Sequence, residues 1–230
     1  MSAVATWVGA LATLVLAVVA VFQDRIRAWM TRPRLSLEAR VVPPDCHKTT
    51  WNYTTVTLNW DGRAVEVRKQ APCYYFRLRV LNKGNAEARE VEVYASALER
   101  KREDRKYAPV ERFTPMNLMW AHFRSPFLPV LCPKMPKMCD LAHVIHPQHR
   151  KELGHDLSAV TDAQAILAFD LQVEPNMRGH LVEPGTYRLS LVVGAANVAP
   201  RECTLEIEFP GTWIDEEADM LGKGFKMRLV

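Results

Sequence analysis

The sequence predicts a mainly-β protein: an antiparallel β-sandwich carried on one N-terminal transmembrane helix. Three observations predict it. Residues 3–22, AVATWVGALATLVLAVVAVF, are an uncharged apolar run, and a helix of that length spans about 30 Å, the thickness of a bilayer's hydrocarbon core. Beyond residue 34 the apolar period changes to two, the period of strands with one covered face. Fifteen prolines against ten glycines favour edges, loops and interrupted strands over long helices. The expected organisation is an anchor with a basic juxtamembrane helix (1–33), a sandwich (34–210) with an insertion at about 99–165, and a tail with a short helix (211–230).

Composition narrows the class. Apolar residues make up 48% and charged residues 24%, proportions of a folded chain rather than a disordered one. Roughly 200 residues outside the anchor suffice for one core without staples. The net charge is only +4, and no basic block is long or interleaved with aromatics, so nucleic acid is not an expected partner. The five cysteines, Cys46, Cys73, Cys132, Cys139 and Cys203, are odd in number and show no framework spacing, which fits reduced thiols.

The apolar run reads as a retained anchor. No Lys or Arg precedes it, it is longer than a signal-peptide core, and Val21-Phe22-Gln23-Asp24 is not a small-x-small cleavage site. Arg25, Arg27, Arg32 and Arg34 follow it against the single acid Asp24. The positive-inside rule then places the large domain in the cytoplasm of a single-pass membrane protein. Arg25 and Arg27 can snorkel to lipid phosphates, and Trp29 can lie in the interface, so the expected membrane-interface set is Arg25, Arg27, Trp29, Arg32 and Arg34. Pro33 ends the helix, since the residue before proline is pushed out of the helical region. Asn52-Tyr53-Thr54 matches a glycosylation sequon that would matter only on the outer side.

The strands follow in order. Leu35, Leu37, Ala39 and Val41 alternate with polar residues up to Pro43-Pro44. The runs 56–60 and 64–67 flank Asp61-Gly62, a hairpin signal. Residues 74–81 and 91–94 flank the turn Asn82-Lys83-Gly84-Asn85. Residues 99–106, ERKREDRK, are nearly balanced in sign and read as a solvated loop or strand tip. The segment 107–165 is too long for a simple loop and is expected to be an insertion or a functional excursion. Strands resume at 166–173, 183–193 and 203–209. In the tail, acids 215–219 suit a helix start, Gly222 or Gly224 a helix end, and Trp213, Met220 and Phe225 are expected to cover an open end of the sandwich.

Two of these passages resemble known domains. FRLRVLNKGNAEAREVEVYA resembles the paired strands of bacterial immunoglobulin-like and adhesion-type sandwich domains. PGTYRLSL looks like the penultimate strand of an immunoglobulin-type sandwich. The resemblance implies an immunoglobulin-like fold in which Tyr187, at the strand start, bonds back to the backbone and pins a corner. The anchor, sandwich and acidic Trp213-containing tail together are similar to prokaryotic membrane-anchored proteins. None of this implies an activity.

Only one stretch carries ligand-type residues at short spacing: Cys132, Cys139, His143, His146 and His149, with His155 beyond. Thiolate and imidazole are zinc ligands and Met135 and Met138 would suit Cu(I), yet the expectation is no cofactor, with zinc the first alternative. Six residues separate the two cysteines, unlike any standard ribbon or finger, so the preferred reading is a proline-rich surface loop with cysteines as small core residues and solvated histidines. Gly154-His155-Asp156 and Gly179-His180 read as isolated turn residues. No G-x-S-x-G, phosphate loop or H-E-x-x-H occurs, so no catalytic set is nominated and no enzyme is expected. The expected function is a membrane-tethered, non-catalytic interaction or scaffold protein, or an accessory subunit of a membrane complex, with the bilayer and another protein as partners. The alternatives are a ligand-sensing membrane effector and a zinc-binding domain using the Cys132–His149 stretch.

Overall fold

The chain opens with α1 (Ala3–Met30) and continues through β1 (Leu35–Ala39), β2 (Cys46–Leu58), β3 (Ala64–Asn82) and β4 (Ala88–Lys101). Next come β5 (Tyr107–Pro109), β6 (Met116–Asn117), β7 (Met119–Trp120), β8 (Phe127–Leu131) and β9 (Lys137–Ile145). After α2 (Pro147–Arg150) follow β10 (Leu167–Phe169), β11 (Leu181–Val182), β12 (Gly185–Ala195) and β13 (Val198–Phe209). The chain closes with α3 (Glu217–Asp219), a π-helical turn (Met220–Gly224) and β14 (Lys226–Leu229). This computed structural model describes the backbone of residues 3–230 and the side chains of 7–23 and 31–230, Phe123 excepted in both.

Two antiparallel sheets result, in the manner of a β-sandwich. The first runs β1-β3-β9-β10-β11, with β2 also on β3 and β7 on β9. The second runs β14-β13-β12-β4-β5, with β6 and β8 also on β4. One core joins them, with Phe76, Leu78 and Leu141 from the first sheet against Leu189, Leu205 and Ile207 from the second. The alternation read in 35–41, 74–81, 183–193 and 203–209 is the buried-inside, polar-outside pattern of these strands.

The longest strand, β3, explains much of the layout. One edge of it pairs first with β2, over Ala64 to Phe76, and then with β1, over Leu78 to Asn82. The other edge pairs with β9 only from Cys73 onward. The β2–β3 pair short of Cys73 is therefore a two-stranded ribbon that runs beyond the sheet. Pro72, which donates no backbone hydrogen bond, sits where the ribbon enters the three-stranded region.

The segment 99–165 is not an insertion outside the sandwich. Lys101 pairs back with Tyr107 as a hairpin tip, and the rest supplies β6, β7, β8 and β9. Of these, β9 lies in the middle of the first sheet, between β3 and β10. Its pattern escaped the sequence reading because a bulge lies between its Ala142 and Asp140 pairings and because both its faces are buried, which removes the polar half of the alternation. The tail also adds structure: Met220 and Phe225 are fully buried in the core, and β14 pairs along β13.

The junction after α1 is clamped to the β3–β4 turn. Arg32 N donates to Asn85 Oδ1 and Arg34 N to Asn82 Oδ1, both at 3.0 Å. Lys83 N returns a bond to Arg34 O at 2.7 Å. Asn82 is fully buried and satisfied on both sides, since its Nδ2 donates to Ala86 O and Leu131 O. Gly84 makes the contact possible: a Cβ there would stand 2.2 Å from Arg32 O and 2.7 Å from Arg34 N. Gly84→Ala is expected to cost about 1–3 kcal/mol through overpacking, and to deprotect the Arg34 and Lys83 amides in hydrogen exchange. Unchanged exchange at both would show that the clamp is not tight.

Along α1 the described side chains, residues 7–23, are all exposed. Trp7 is 73% and Leu16 68% accessible. Among the described residues no helix is long and apolar enough to cross a membrane.

Candidate functional site

The stretch with ligand-type residues is split by strand geometry. Cys139 and His143 both lie on β9, but they face opposite sides of it. Cys139 packs in the inter-sheet core beside Leu78, with its Sγ 3.5 Å from Met119 O. Burial pushes the Cys139 thiol well up, so it stays protonated and is a poor ligand. His143 pairs with Tyr75 on the outer face. Cys132 is exposed beyond β8. His146 precedes α2, where its Nδ1 accepts from Gln148 N at 3.3 Å and its ring meets Trp213 at 4.9 Å. His149 Nδ1 lies 3.3 Å from Tyr53 Oη. Of the five residues, only His146 and His149 come near one another, with ring centroids 6.1 Å apart.

A different cluster forms on the outer face of the first sheet. His143 stacks on Trp51 from β2, with centroids at 4.5 Å, and lies 5.6 Å from Tyr75. His143 Nδ1 is 3.0 Å from Asp170 Oδ1, so Nδ1–H donates to the carboxylate and Nε2 lies on the far side of the ring. Asp170 follows β10 and is held there by its own amide, which donates to Leu141 O at 3.0 Å. His155 lies 5.1 Å from His143, and His180 lies 6.4 Å from His155, by ring centroid. His143, His155 and His180 are each more than nine-tenths buried. Among the described residues His143 Nε2, His155 Nδ1, His180 Nδ1 and Asp170 Oδ2 are buried without a hydrogen-bond partner. Burial, then the neighbouring His143 and His180, bring the His155 imidazole down to about 3; burial also lowers His180.

Two devices bring these residues together. The segment after α2 folds over the outer face, burying Leu157 and Val160 against Ile166, Ala168 and Leu181. Arg150 pins it: its guanidinium, 1% accessible, donates to the carbonyls of His155, Val160 and Thr161 and to Asp156 Oδ1. His155 N closes the loop onto Arg150 O at 2.8 Å. On the other side Gly179 presses on the Arg112 backbone, where a Cβ would stand 1.8 Å from Arg112 O. That approach seats His180, whose carbonyl accepts from Phe169 N at 2.9 Å.

The sequence reading sets His155 only beyond the ligand-type stretch, reads His155 and His180 as turn residues, and gives Asp170 no role. Four separate segments contribute, so no spacing signals them; the only hint is that two of the histidines follow glycine. As they stand, no three His, Cys, Asp or Glu side chains among the described residues converge closely enough to hold an ion. Asp140, beside the cluster, pairs with Arg77 at 2.6 Å; burial raises its carboxyl above the usual range, and the arginine opposes that.

A second feature is the ribbon tip. Val56 and Leu58 lie on one face of it, 67% and 74% accessible, and Trp60 in the turn is 98% accessible. Arg32 and Arg34 of the expected interface set are exposed, while the side chains of Arg25, Arg27 and Trp29 lie outside the described residues. Tyr187 is buried at the start of β12, and its Oη donates to Glu183 O at 2.8 Å. No family model, curated protein or solved structure matches the chain.

Proposed function

We propose that the chain is a membrane-tethered, non-catalytic interaction module. In this reading α1 crosses the bilayer, Arg25, Arg27, Arg32 and Arg34 lie on the cytoplasmic side with Trp29, and the sandwich presents the β2–β3 ribbon to a partner protein. The observation that carries it is the apolar surface of α1: its described side chains, Trp7 to Gln23, are exposed along the helix. Water does not favour an apolar surface that large, whereas a bilayer or an apolar partner does. The Tyr187–Glu183 bond supports the immunoglobulin-like class, where such a tyrosine pins a corner.

The ribbon supports the interaction half. Exposed Trp is the side chain that most often anchors an interface, and Trp60 stands at the ribbon end farthest from the clamp at Asn82. With β3 spanning 19 residues at ~3.3 Å each, about 60 Å separates the two. Two measurements test the reading. The full chain in its native membranes should resist alkaline extraction and require detergent for release. A photo-crosslinker at position 58 should capture a discrete protein, and Trp60→Ala should weaken that complex by about 2 kcal/mol or more without moving Tm. Release by alkali overturns the tether, and crosslinking unchanged by Trp60→Ala overturns the ribbon as contact.

A further inference from the structure

The outer-face histidine cluster has a donor set whose chemistry is narrow. It offers three buried imidazoles and one carboxylate bonded behind the first of them. No Lys or Arg side chain bonds to any of the four groups among the described residues. Buried polar atoms without partners carry a large desolvation cost, and an ion or ordered water is what normally answers it. Imidazoles that ligate, with a carboxylate behind one of them to orient its ring, are the build of a borderline-metal site.

We propose that His143, His155 and His180 bind one divalent transition-metal ion of the borderline class, zinc foremost, with Asp170 as the residue that orients His143. The proposal is independent of the membrane tether and of the ribbon. It shares only His143 with the Cys132–His149 stretch, whose cysteines lie outside it.

The rings as they stand do not yet converge on one ion, and the movement that would bring them there is small. Two imidazoles bound to one tetrahedral ion at ~2.0–2.1 Å per nitrogen hold their ring centroids about 5 Å apart. The His143–His155 separation is 5.1 Å and meets this. The His155–His180 separation is 6.4 Å and must close by about 1 Å. Torsion about the second side-chain angle of histidine is soft, and His155 sits on a covering loop rather than on a strand, so ring rotation with a small loop shift is the required movement. Three imidazoles leave a fourth position for water or another ligand.

The test uses the full chain, purified in detergent with any histidine tag removed and stripped with chelator. Zinc is titrated by calorimetry, and cobalt by its visible absorption. One equivalent per chain is expected, with the intense spectrum of a tetrahedral nitrogen-ligated site and without a thiolate charge-transfer band. His155→Ala and His180→Ala should each weaken zinc binding by at least tenfold, and Asp170→Asn by tenfold to a hundredfold. His146→Ala and His149→Ala should leave it unchanged. Far-ultraviolet dichroism checks that each variant is folded, and should His155→Ala fail to fold, His155→Gln takes its place. A folded wild-type chain that binds no zinc overturns the proposal. So does binding that persists in His155→Ala and His180→Ala, or binding abolished by His146→Ala or His149→Ala.

Discussion

Replacing Phe76 with alanine is expected to lower the stability of the sandwich by about 3–5 kcal/mol, the range for deleting a large aromatic from a packed core. Phe76 is fully buried on β3, flanked in the sheet by Cys46 of β2 and Ala142 of β9. Its ring stacks on Phe225 with centroids 3.7 Å apart. The loss would fall on β3 and on the C-terminal tail together. Phe225 leads directly into β14 and follows Gly224, over which Met220 folds so closely that a Cβ would stand 2.3 Å from its sulfur. Such a tight arrangement has little room to collapse into the space the ring leaves, so the cost should lie toward the upper end. At about 2–4 °C per kcal/mol for a domain of this size, Tm should fall by about 10 °C or more in detergent. Hydrogen exchange should speed up in β14 before it does in β12. A shift below about 3 °C, or unchanged protection in β14, would show that the tail is not part of the core.

Arg150→Met should produce a local rather than a global loss. Methionine fills similar apolar volume but abandons three carbonyls, of His155, Val160 and Thr161, at about 1 kcal/mol each. The acid partners add little, because Asp156 is 42% and Asp162 77% accessible at the side chain and water can replace the arginine there. The expected outcome is about 3 kcal/mol of destabilisation confined to residues 151–165, read as faster exchange and new proteolytic cuts in that segment while β3 and β12 keep their protection. The same variant should uncover His155 and weaken zinc binding. Unchanged exchange in 151–165 would mean that the cover is held by Leu157 and Val160 alone.

The contrast between these two sites shows where sequence reading succeeds. Phe76 belongs to a strand whose neighbours alternate, so the core face of β3 is visible in FRLRVL from period alone. Arg150 looks like a solvent residue in any sequence, since nothing nearby says that three carbonyls will turn toward it. The same limit hid β9: in KMCDLAHVI the bulge and the covered outer face erase the alternation that marked its partner. The histidines were grouped by the same local logic. Proximity along the chain suggested Cys139 and His143 as co-ligands, yet strand geometry sends neighbours of that separation to opposite faces across a bulge.

What the amino-acid order determined by itself was local: an apolar helix at the start, two-residue periodicity in the strands, turn chemistry at Asn82–Asn85, and the absence of enzyme motifs. Those features need only neighbours in the chain, because side-chain direction and turn preference are set by a few adjacent torsions. The tertiary structure alone decided the ribbon that outruns its sheet, the cover pinned by Arg150, and the meeting of His143, His155, Asp170 and His180. Each of these depends on distant segments packing to exclude water, and burial of that kind leaves no periodic mark in the sequence.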